Sequence, residues 1–433
     1  MEIAALYSIF LQCSGVTIDS RNCPPNALFI AIKGDRFNGN QFAIQSLEKG
    51  CAYAIVEEPM DVQSYGERIL QVDSTLQTLQ ALARYHRQQM GLPIIGITGT
   101  NGKTTTKELI AAVLSEKYPI LYTQGNLNNA IGVPLTLLQL QPSHKLAIIE
   151  MGASHQGDIK ELVEIACPNY GIITNIGRAH LEGFGSLEHI ISTKGELFDY
   201  LRATAKGATI FVDQDNPYLS KLTHDLTPIY YGTTHKSAIT GKIVSCSPFL
   251  QLEWCESLVA ASHTIQTQLI GAYNLQNVLA AITIGRFFHV ESKAITKALT
   301  NYNPQNNRSQ LAITANNHLI IDTYNANPTS MMAALENFLL LEAPTKMLLL
   351  GDMKELGTES AVEHQKIVDY LRTFPADKII LIGREFAHTE HHFLSFPTRE
   401  ELADYLTAHP AEGYHILLKG SNSMKLEQLI PLL

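Results

Sequence analysis

Residues 96–110 read GITGTNGKTTTKELI, and three residue types within this stretch suit phosphate chemistry. Gly99 and Gly102 let a backbone approach an anion closely, and N–H groups at a turn leading into a helix carry partial positive charge. Lys103 adds a point charge for β- and γ-phosphates, and the Thr104 hydroxyl suits a Mg2+ ligand. Gly99, Thr100, Asn101, Gly102, Lys103, Thr104 and Thr105 together are read as a nucleotide cradle. The usual spacing, G-x-x-x-x-G-K-[ST], would put a glycine at 97, where Ile97 stands. A glycine turn carrying a solvated lysine is the plain alternative. Context decides for the nucleotide: Ile94–Thr98 reads as a strand, and Leu109, Ile110, Val113 and Leu114 follow Thr104 at helical spacing.

Further along, single polar residues end apolar runs. Glu150 closes AIIE and His180 follows GIITNIG; both lie at the strand edge where α/β proteins bind ligands. A turn acid and a packing histidine are the plainer readings. Lys194, in STKGELF, reads from its residues alone as a solvated helix lysine. Asn274 opens NLQNVLAA, where an asparagine also suits a helix N-cap.

These residues need elements to hold them. Residues 1–90 read as a small α/β unit, with LFIAIKG (28–34) and AYAIVEE (52–58) as strands and QFAIQSLEKG as a helix ended by Gly50. STLQTLQALARYHRQQM is a helix with Leu76, Leu79, Leu82 and Tyr85 on one stripe, broken by Gly91 and Pro93. Residues 91–303 alternate strand, loop and helix, with KLAIIEMG (145–152) and GIITNIG (171–177) as buried parallel strands. Residues 228–270, including LQLEW and TIQTQLI, predict an antiparallel excursion, and NLQNVLAAITIGRFF a closing helix. After the polar run NYNPQNNRSQ, residues 304–433 carry MLLLGD, KIILIG and YHILLKG, three similar strands in an open parallel sheet. The expected fold class is α/β in three domains. A central P-loop parallel-sheet ATPase domain is flanked by a small α/β N-terminal domain and a Rossmann-like C-terminal domain.

Length and composition agree with that division. A chain of 433 residues exceeds one ordinary core, and 45% hydrophobic with 17% charged residues is a globular composition. The net charge of -9 argues against a nucleic-acid surface but leaves room for a local basic pocket. The six cysteines form no C-x-x-C pair, so reduced thiols are expected rather than a disulfide framework or a zinc site. MEIAALYSIFLQ carries an acid where a signal peptide needs a basic start, and no apolar run approaches the roughly 20 residues of a membrane span. A cytoplasmic monomer with no membrane insertion is expected.

G-T-N-G-K-T resembles the ATP loop of the Mur ligase family, ATP-dependent enzymes that form peptide bonds on peptidoglycan precursors. Folylpolyglutamate synthetases carry a related loop. The resemblance covers nearly the whole chain in order: DSR (19–21), LFIAIKGDRFNGNQF (28–42), GNLNNAIGVPLTLL (125–138), EMGASHQGDI (150–159) and TNIGRAHLEGFGS (174–186). It continues through KGELF (194–198), GAYNLQNVLAA (271–281), DTYNANPTSM (322–331), LGDMKELG (350–357) and KGS (419–421). Within the family, YNANP followed by GDMKELG most resembles the enzymes that add D-alanyl-D-alanine. One departure is Ile321, which stands where a second acid would be expected beside Asp322.

The resemblance implies that the carboxylate of a UDP-N-acetylmuramoyl-tripeptide (UDP-MurNAc-tripeptide) attacks the γ-phosphate of ATP. The amine of D-Ala-D-Ala then attacks the acyl phosphate, leaving ADP and phosphate. Two anions must meet, and unit charges about 4 Å apart repel by roughly 4 kcal/mol at an effective dielectric near 20. Mg2+ and protein cations belong between them. By resemblance, Lys103, His180, Lys194 and Arg308 form the catalytic set, and Thr104, Glu150, His180 and Lys194 surround the metal. In related ligases the lysine matching Lys194 carries a carbamate, formed with CO2, which turns a cation into an anion. Asn274, Arg308 and Asp322 resemble the rest of the ATP set: an amide for the adenine edge, a cation for the phosphoryl group and an acceptor for the ribose. Because Arg308 and Asp322 lie past residue 303, ATP would be clamped between domains and shielded from water.

The first domain would take the UDP-sugar through Ser20, Arg21 and Lys33–Gly34. Asn128, Asn129 and the Thr123–Gly125 turn would lie nearer the peptide. Asn325, Asn327, Asp352, Glu355 and Lys419 would position the dipeptide, although such KEL and KGS stretches are also common solvated loops. A folylpolyglutamate-type or earlier Mur-type ligase is the near rival, and the DSR-bearing first domain speaks for a UDP-sugar over a folate. A P-loop switch protein would want N-K-x-D or T-K-x-D, where this chain offers only T-K-G-E at 193–196. No G-x-G-x-x-G follows a strand, which removes the nicotinamide reading.

Overall fold

The computed structural model describes residues 2–34, 37–60, 65–257, 261–304, 308 and 310–433. Asp35 and Arg36 of the segment 28–42, and residues 305–307 and 309 of the polar run, lie outside the described residues. Three large sheets follow one another along the chain, and Lys33–Gly34 pairs with Phe37–Asn38 in a separate two-stranded sheet of the first domain. The first has four parallel strands in the order Val16–Thr17, Leu28–Ile30, Tyr53–Val56, Ile69–Gln71. Its central strands are short apolar runs, buried except for the half-buried Tyr53, as parallel strands covered on both faces must be.

Helix Thr75–Met90 leaves this sheet, capped by the Ser74 hydroxyl on the Gln77 N–H and ended by Gly91 at φ +64°. Its buried face is Thr75, Leu79, Leu82, Ala83, His86 and Arg87, while Leu76 and Tyr85 of the expected stripe are half-buried. That face turns toward the second sheet. Gln80 donates to Glu161 at 2.7 Å, His86 meets the Leu140 carbonyl at 3.0 Å, and Arg87 donates to the Ala166 carbonyl and Asn169. The helix is thus a strut between the first and second sheets.

The second sheet has nine strands, in the order Ser262–Ile270, Phe249–Glu256, Ile239–Cys246, Thr227–Gly232, Thr209–Asp213, Tyr170–Ile173, Ile94–Thr98, Leu146–Glu150, Ile120–Tyr122. The antiparallel part begins only at the pairing of Ile239–Cys246 with Phe249–Glu256; Thr227–Gly232 still runs parallel to both neighbours. The predicted excursion is therefore an extension of the same sheet. Strand Ile94–Thr98 sits between Tyr170–Ile173 and Leu146–Glu150, so the carboxyl ends of three adjacent strands form one edge.

The third sheet has six strands in the order Gln310–Ile313, His318–Asp322, His415–Lys419, Lys346–Gly351, Lys378–Ile382, Leu394–Phe396. It is parallel except for its first strand. The chain's last strand lies between two earlier ones, which sets a topological switch point beside Asp322 and Lys419. Among the described residues, no helix is long and apolar enough to cross a membrane.

Candidate active site

Strand Ile94–Thr98 runs into the glycine loop, and helix Lys103–Ser115 starts immediately after Gly102, whose φ is +75°. Ile97 is a fully buried strand residue, so the turn begins only at Gly99 and no glycine is needed at 97. Gly99 has φ +146°, and a Cβ there would collide with the Thr174 hydroxyl on the neighbouring strand end. A Cβ on Gly102 would come within 2.7 Å of Asn277 Oδ1. Both glycines are thus required by φ and by close packing. Lys103 folds back over the loop, its Nζ donating to the carbonyls of Gly99 (2.7 Å) and Thr100 (3.0 Å). Burial pushes its ammonium down to about 8, with Glu150 opposing the fall and Arg308 adding to it.

Glu150 ends the adjacent strand and is 1% exposed. Its Oε1 accepts from the Thr104 hydroxyl at 3.1 Å and from Asn128 Nδ2 at 2.9 Å, and its backbone N–H donates to Thr123 Oγ1. Among the described residues its Oε2 is buried without a hydrogen-bond partner, with Lys107 Nζ 3.6 Å away. Burial lowers the Lys107 ammonium from its usual value, against the pull of Glu150 and Glu108. Lys107 escaped the sequence reading, although a lysine one turn after Lys103 shares its helix face.

His180, in the left-handed region at φ +50°, makes an ion-pair contact through Nδ1 with Glu355, which arrives from the third domain. That contact holds the Glu355 carboxyl below its ordinary value. Lys194 lies on helix Leu187–Thr204, 2% exposed. Its ammonium stands 5.4 Å from the Phe184 ring. Burial, and then the charge of Lys103, lower it well below the usual lysine value.

The opposite wall comes from the third sheet. Arg308 stacks on Tyr324 at 3.7 Å, and Asp322 accepts from Lys419 Nζ at 2.6 Å. Lys419 is fully buried and also donates to the Asn325 carbonyl at 3.2 Å. Asn327 caps helix Pro328–Leu340 and its Nδ2 donates to Asn101 Oδ1 at 2.8 Å, tying the nucleotide loop to the third domain. Arg178 N–H donates to Thr329 at 3.1 Å and its guanidinium to Glu363 at 3.0 Å along the same seam.

These walls enclose a cleft of about 650 Å³. It is lined by Thr100–Thr105, Asn128, Asn129, Glu150, His180, Asn274, Arg308, Asp322, Asn325, Glu355 and Lys419, joined by Tyr273 and Tyr324. Lys194 and Asn327 stand behind the lining. Asn274 begins helix Asn274–Phe287 without capping it; its amide donates to the Ile270 carbonyl and accepts from Asn277, each at 2.8 Å. Asn129 accepts from the Gly132 N–H at 2.8 Å, holding the short helix behind the cleft wall. Asp352 is buried away from the cleft, where it accepts from the N–H groups of Glu385 and Phe386. Ser20, Arg21 and Lys33 belong to the first domain, outside its four-stranded sheet: Arg21 pairs with Asp19 and Lys33 with Glu58, both at 2.9 Å, and the Ser20 carbonyl accepts from Lys49.

A glycine–lysine loop at the carboxyl edge of a parallel sheet, faced by cations from another sheet, defines a P-loop protein whose nucleotide cleft is shared between domains. Three family models match in succession: "Mur ligase family, catalytic domain" at residues 12–87, "Mur ligase middle domain" at 97–285 and "Mur ligase, glutamate ligase domain" at 307–422. The chain belongs to the Mur ligase family. The UDP-N-acetylmuramoyl-tripeptide–D-alanyl-D-alanine ligase of Bacillus subtilis is 33% identical over 427 residues, 96% of this chain and 92% of the relative. The crystal structure of MurF from Acinetobacter baumannii superposes with a TM-score of 0.86 at 30% identity, covering 96% of this chain and 92% of that one. MurF from Thermotoga maritima, solved in complex with ADP, gives a TM-score of 0.85 at 26% identity over 98% and 97% of the two chains.

Proposed function

We propose that the protein is an ATP-dependent ligase that joins D-Ala-D-Ala to UDP-MurNAc-tripeptide through an acyl phosphate, releasing ADP and phosphate. The observation that carries this reading is the single cleft shared by the Lys103 loop, Glu150, Arg308 and the Asp322–Lys419 pair. The chain around that cleft is alike over nearly its whole length to ligases of this name.

Lys103 and the loop N–H groups would hold the β- and γ-phosphates, and Arg308, kept flat against Tyr324, would bring a second cation from the facing wall. The residues fit Mg2+: among the described residues Glu150 Oε2 is a buried carboxylate oxygen without a hydrogen-bond partner, and Thr104 places a hydroxyl beside the same group. Mg2+ is held by one or two carboxylates together with substrate phosphates, and when bound it neutralises charge on the transferring group. His180, oriented by Glu355, stands as the further candidate on the same wall. Lys194 fits a carbamate, because burial favours the neutral amine, whose nitrogen bonds to the carbon of CO2 and gives up one proton.

Asp322 keeps an oxygen for the ribose while its other oxygen holds Lys419. Asn274 retains one N–H and one lone pair for adenine. Residues 1–90 would bind the UDP-sugar through Ser20, Arg21 and Lys33, residues 91–303 the ATP, and residues 304–433 the dipeptide through Asn325 and Glu355. A cytoplasmic monomer completes this reading.

The test is phosphate release from ATP in the presence of UDP-MurNAc-tripeptide, with and without D-Ala-D-Ala. Release that depends on the dipeptide is expected. Release that ignores the dipeptide and responds to a single amino acid would replace this reading with that of an earlier Mur-type or a folylpolyglutamate-type ligase.

A further inference from the structure

Lys107 stands one helical turn beyond Lys103, and its side chain is 1% exposed. Its ammonium lies 3.6 Å from Glu150 Oε2, 4.0 Å from Glu108 Oε1 and 5.9 Å from the centre of the Tyr122 ring. Glu108 is itself engaged by the Tyr302 hydroxyl at 2.5 Å, so the cation is set between two anchored carboxylates. On Glu150 the neutral donors, Thr104 and Asn128, both use Oε1. Among the described residues, the other oxygen has only the Lys107 charge beyond it, at a distance longer than a direct charge-assisted hydrogen bond.

We propose that Lys107 is the resident counter-cation of Glu150, a positioning residue that orients the carboxylate and keeps the site weak for a divalent ion arriving without nucleotide. This rests on the reading of Glu150 as the divalent-cation ligand. An ion on Glu150 sits a few ångströms from the ammonium, in buried surroundings that screen their repulsion poorly. Phosphate oxygens bring the negative charge that offsets this repulsion, so the ion is accepted together with the nucleotide. A bare ion meets the repulsion in full. A lysine that merely packed the helix would leave metal affinity untouched.

The probe is Mn2+ without nucleotide, titrated into the full-length protein with free Mn2+ counted by electron paramagnetic resonance. Lys107→Met and Lys107→Gln should each bind Mn2+ at least about tenfold tighter than the parent, since a buried like charge is removed. Lys107→Arg should match the parent, and the gain in the neutral variants should shrink when ADP is added. Equal or weaker Mn2+ binding in the neutral variants overturns the proposal. Using two of different shape keeps the test alive if one fails to fold, as a melting curve would show. Glu150→Gln, titrated with Mn2+ and ADP, separates the underlying reading: parental affinity there removes Glu150 as a ligand. Lost affinity, with Lys107 variants unchanged, overturns the role of Lys107 alone.

Discussion

The cations of the first domain and those of the cleft carry the same charge in opposite surroundings. Arg21 and Lys33 are exposed and already paired, Arg21 holding the Asp19 carboxyl down to about 2 through its hydrogen bonds. Lys107 and Lys194 are packed into the protein and Lys103 is half-buried on the cleft wall, and burial is the leading cause that lowers each of them. An exposed pair is worth little and is readily exchanged for a ligand's anion. A buried cation keeps a desolvation cost that only an arriving negative charge relieves. The first arrangement suits docking, and the second suits charge that develops during a reaction.

The largest expected effect follows from removing the loop cation. Lys103→Ala should lower phosphate release by at least about 10²–10³-fold, while binding of UDP-MurNAc-tripeptide, measured by calorimetry, stays unchanged. Near-parental turnover would erase the distinction between the two groups of cations. The pH profile of kcat/KM for ATP tests the same residue more gently. With Lys103 at about 8 in the free protein, the profile should fall as pH rises through that value and the ammonium is lost.

Asp213 extends the comparison to an acid on the same sheet edge. Burial pushes its carboxyl up to about 7, with the Asp215 N–H opposing and the Asp215 charge adding to the rise. A folded value above the unfolded one, about 3.9, gives stability that is complete below the unfolded value and lost as pH rises to about 7. Asp213→Asn keeps an acceptor for the Asp215 N–H, which bonds Oδ1 at 3.0 Å. It should therefore stabilise the protein by on the order of 2 kcal/mol at pH 8 and hardly at all at pH 4. Equal melting shifts at both pH values would show that burial is not the cause.

A smaller effect is expected at the seam. Asn327→Ala removes the helix cap and both hydrogen bonds with Asn101. The cap alone costs about 1 kcal/mol in a melting experiment. The lost tie between loop and third domain should raise KM for ATP roughly three- to tenfold. An unchanged KM would mean that the cleft does not need this tie to hold its nucleotide.

The nucleotide loop was legible because its chemistry is local: two glycines, a lysine and a hydroxyl within six residues of a strand end. Three of the six strands of the third sheet were legible as well, each a short apolar run leading to a glycine. Pairing was not. Asp322 and Lys419 were expected in separate roles, and only the parallel register that sets them side by side reveals one ion pair. Lys107, on a helix, gained its meaning from Glu150, which comes from a separate strand. The start of the antiparallel segment was misplaced because Thr227–Gly232 takes its direction from Thr209–Asp213, a partner that alternation within one strand cannot disclose.

The smallest effect on stability is expected at Arg21, and it sharpens the comparison most directly. Arg21 donates through Nε and Nη2 to the two oxygens of Asp19, each at 2.9 Å, with its own side chain 88% exposed. Arg21→Ala should leave the melting temperature unchanged at neutral pH, because water replaces both hydrogen bonds. Its cost should appear in binding: KM for UDP-MurNAc-tripeptide rises roughly three- to tenfold with kcat unchanged, the mark of an interaction made equally in ground and transition states. High salt should reduce the difference between variant and parent, since exposed charges are screened within about 10 Å. A fall in kcat at constant KM would instead place Arg21 among the groups that follow the reaction. The contrast between docking cations and reacting cations would then fail at its exposed end.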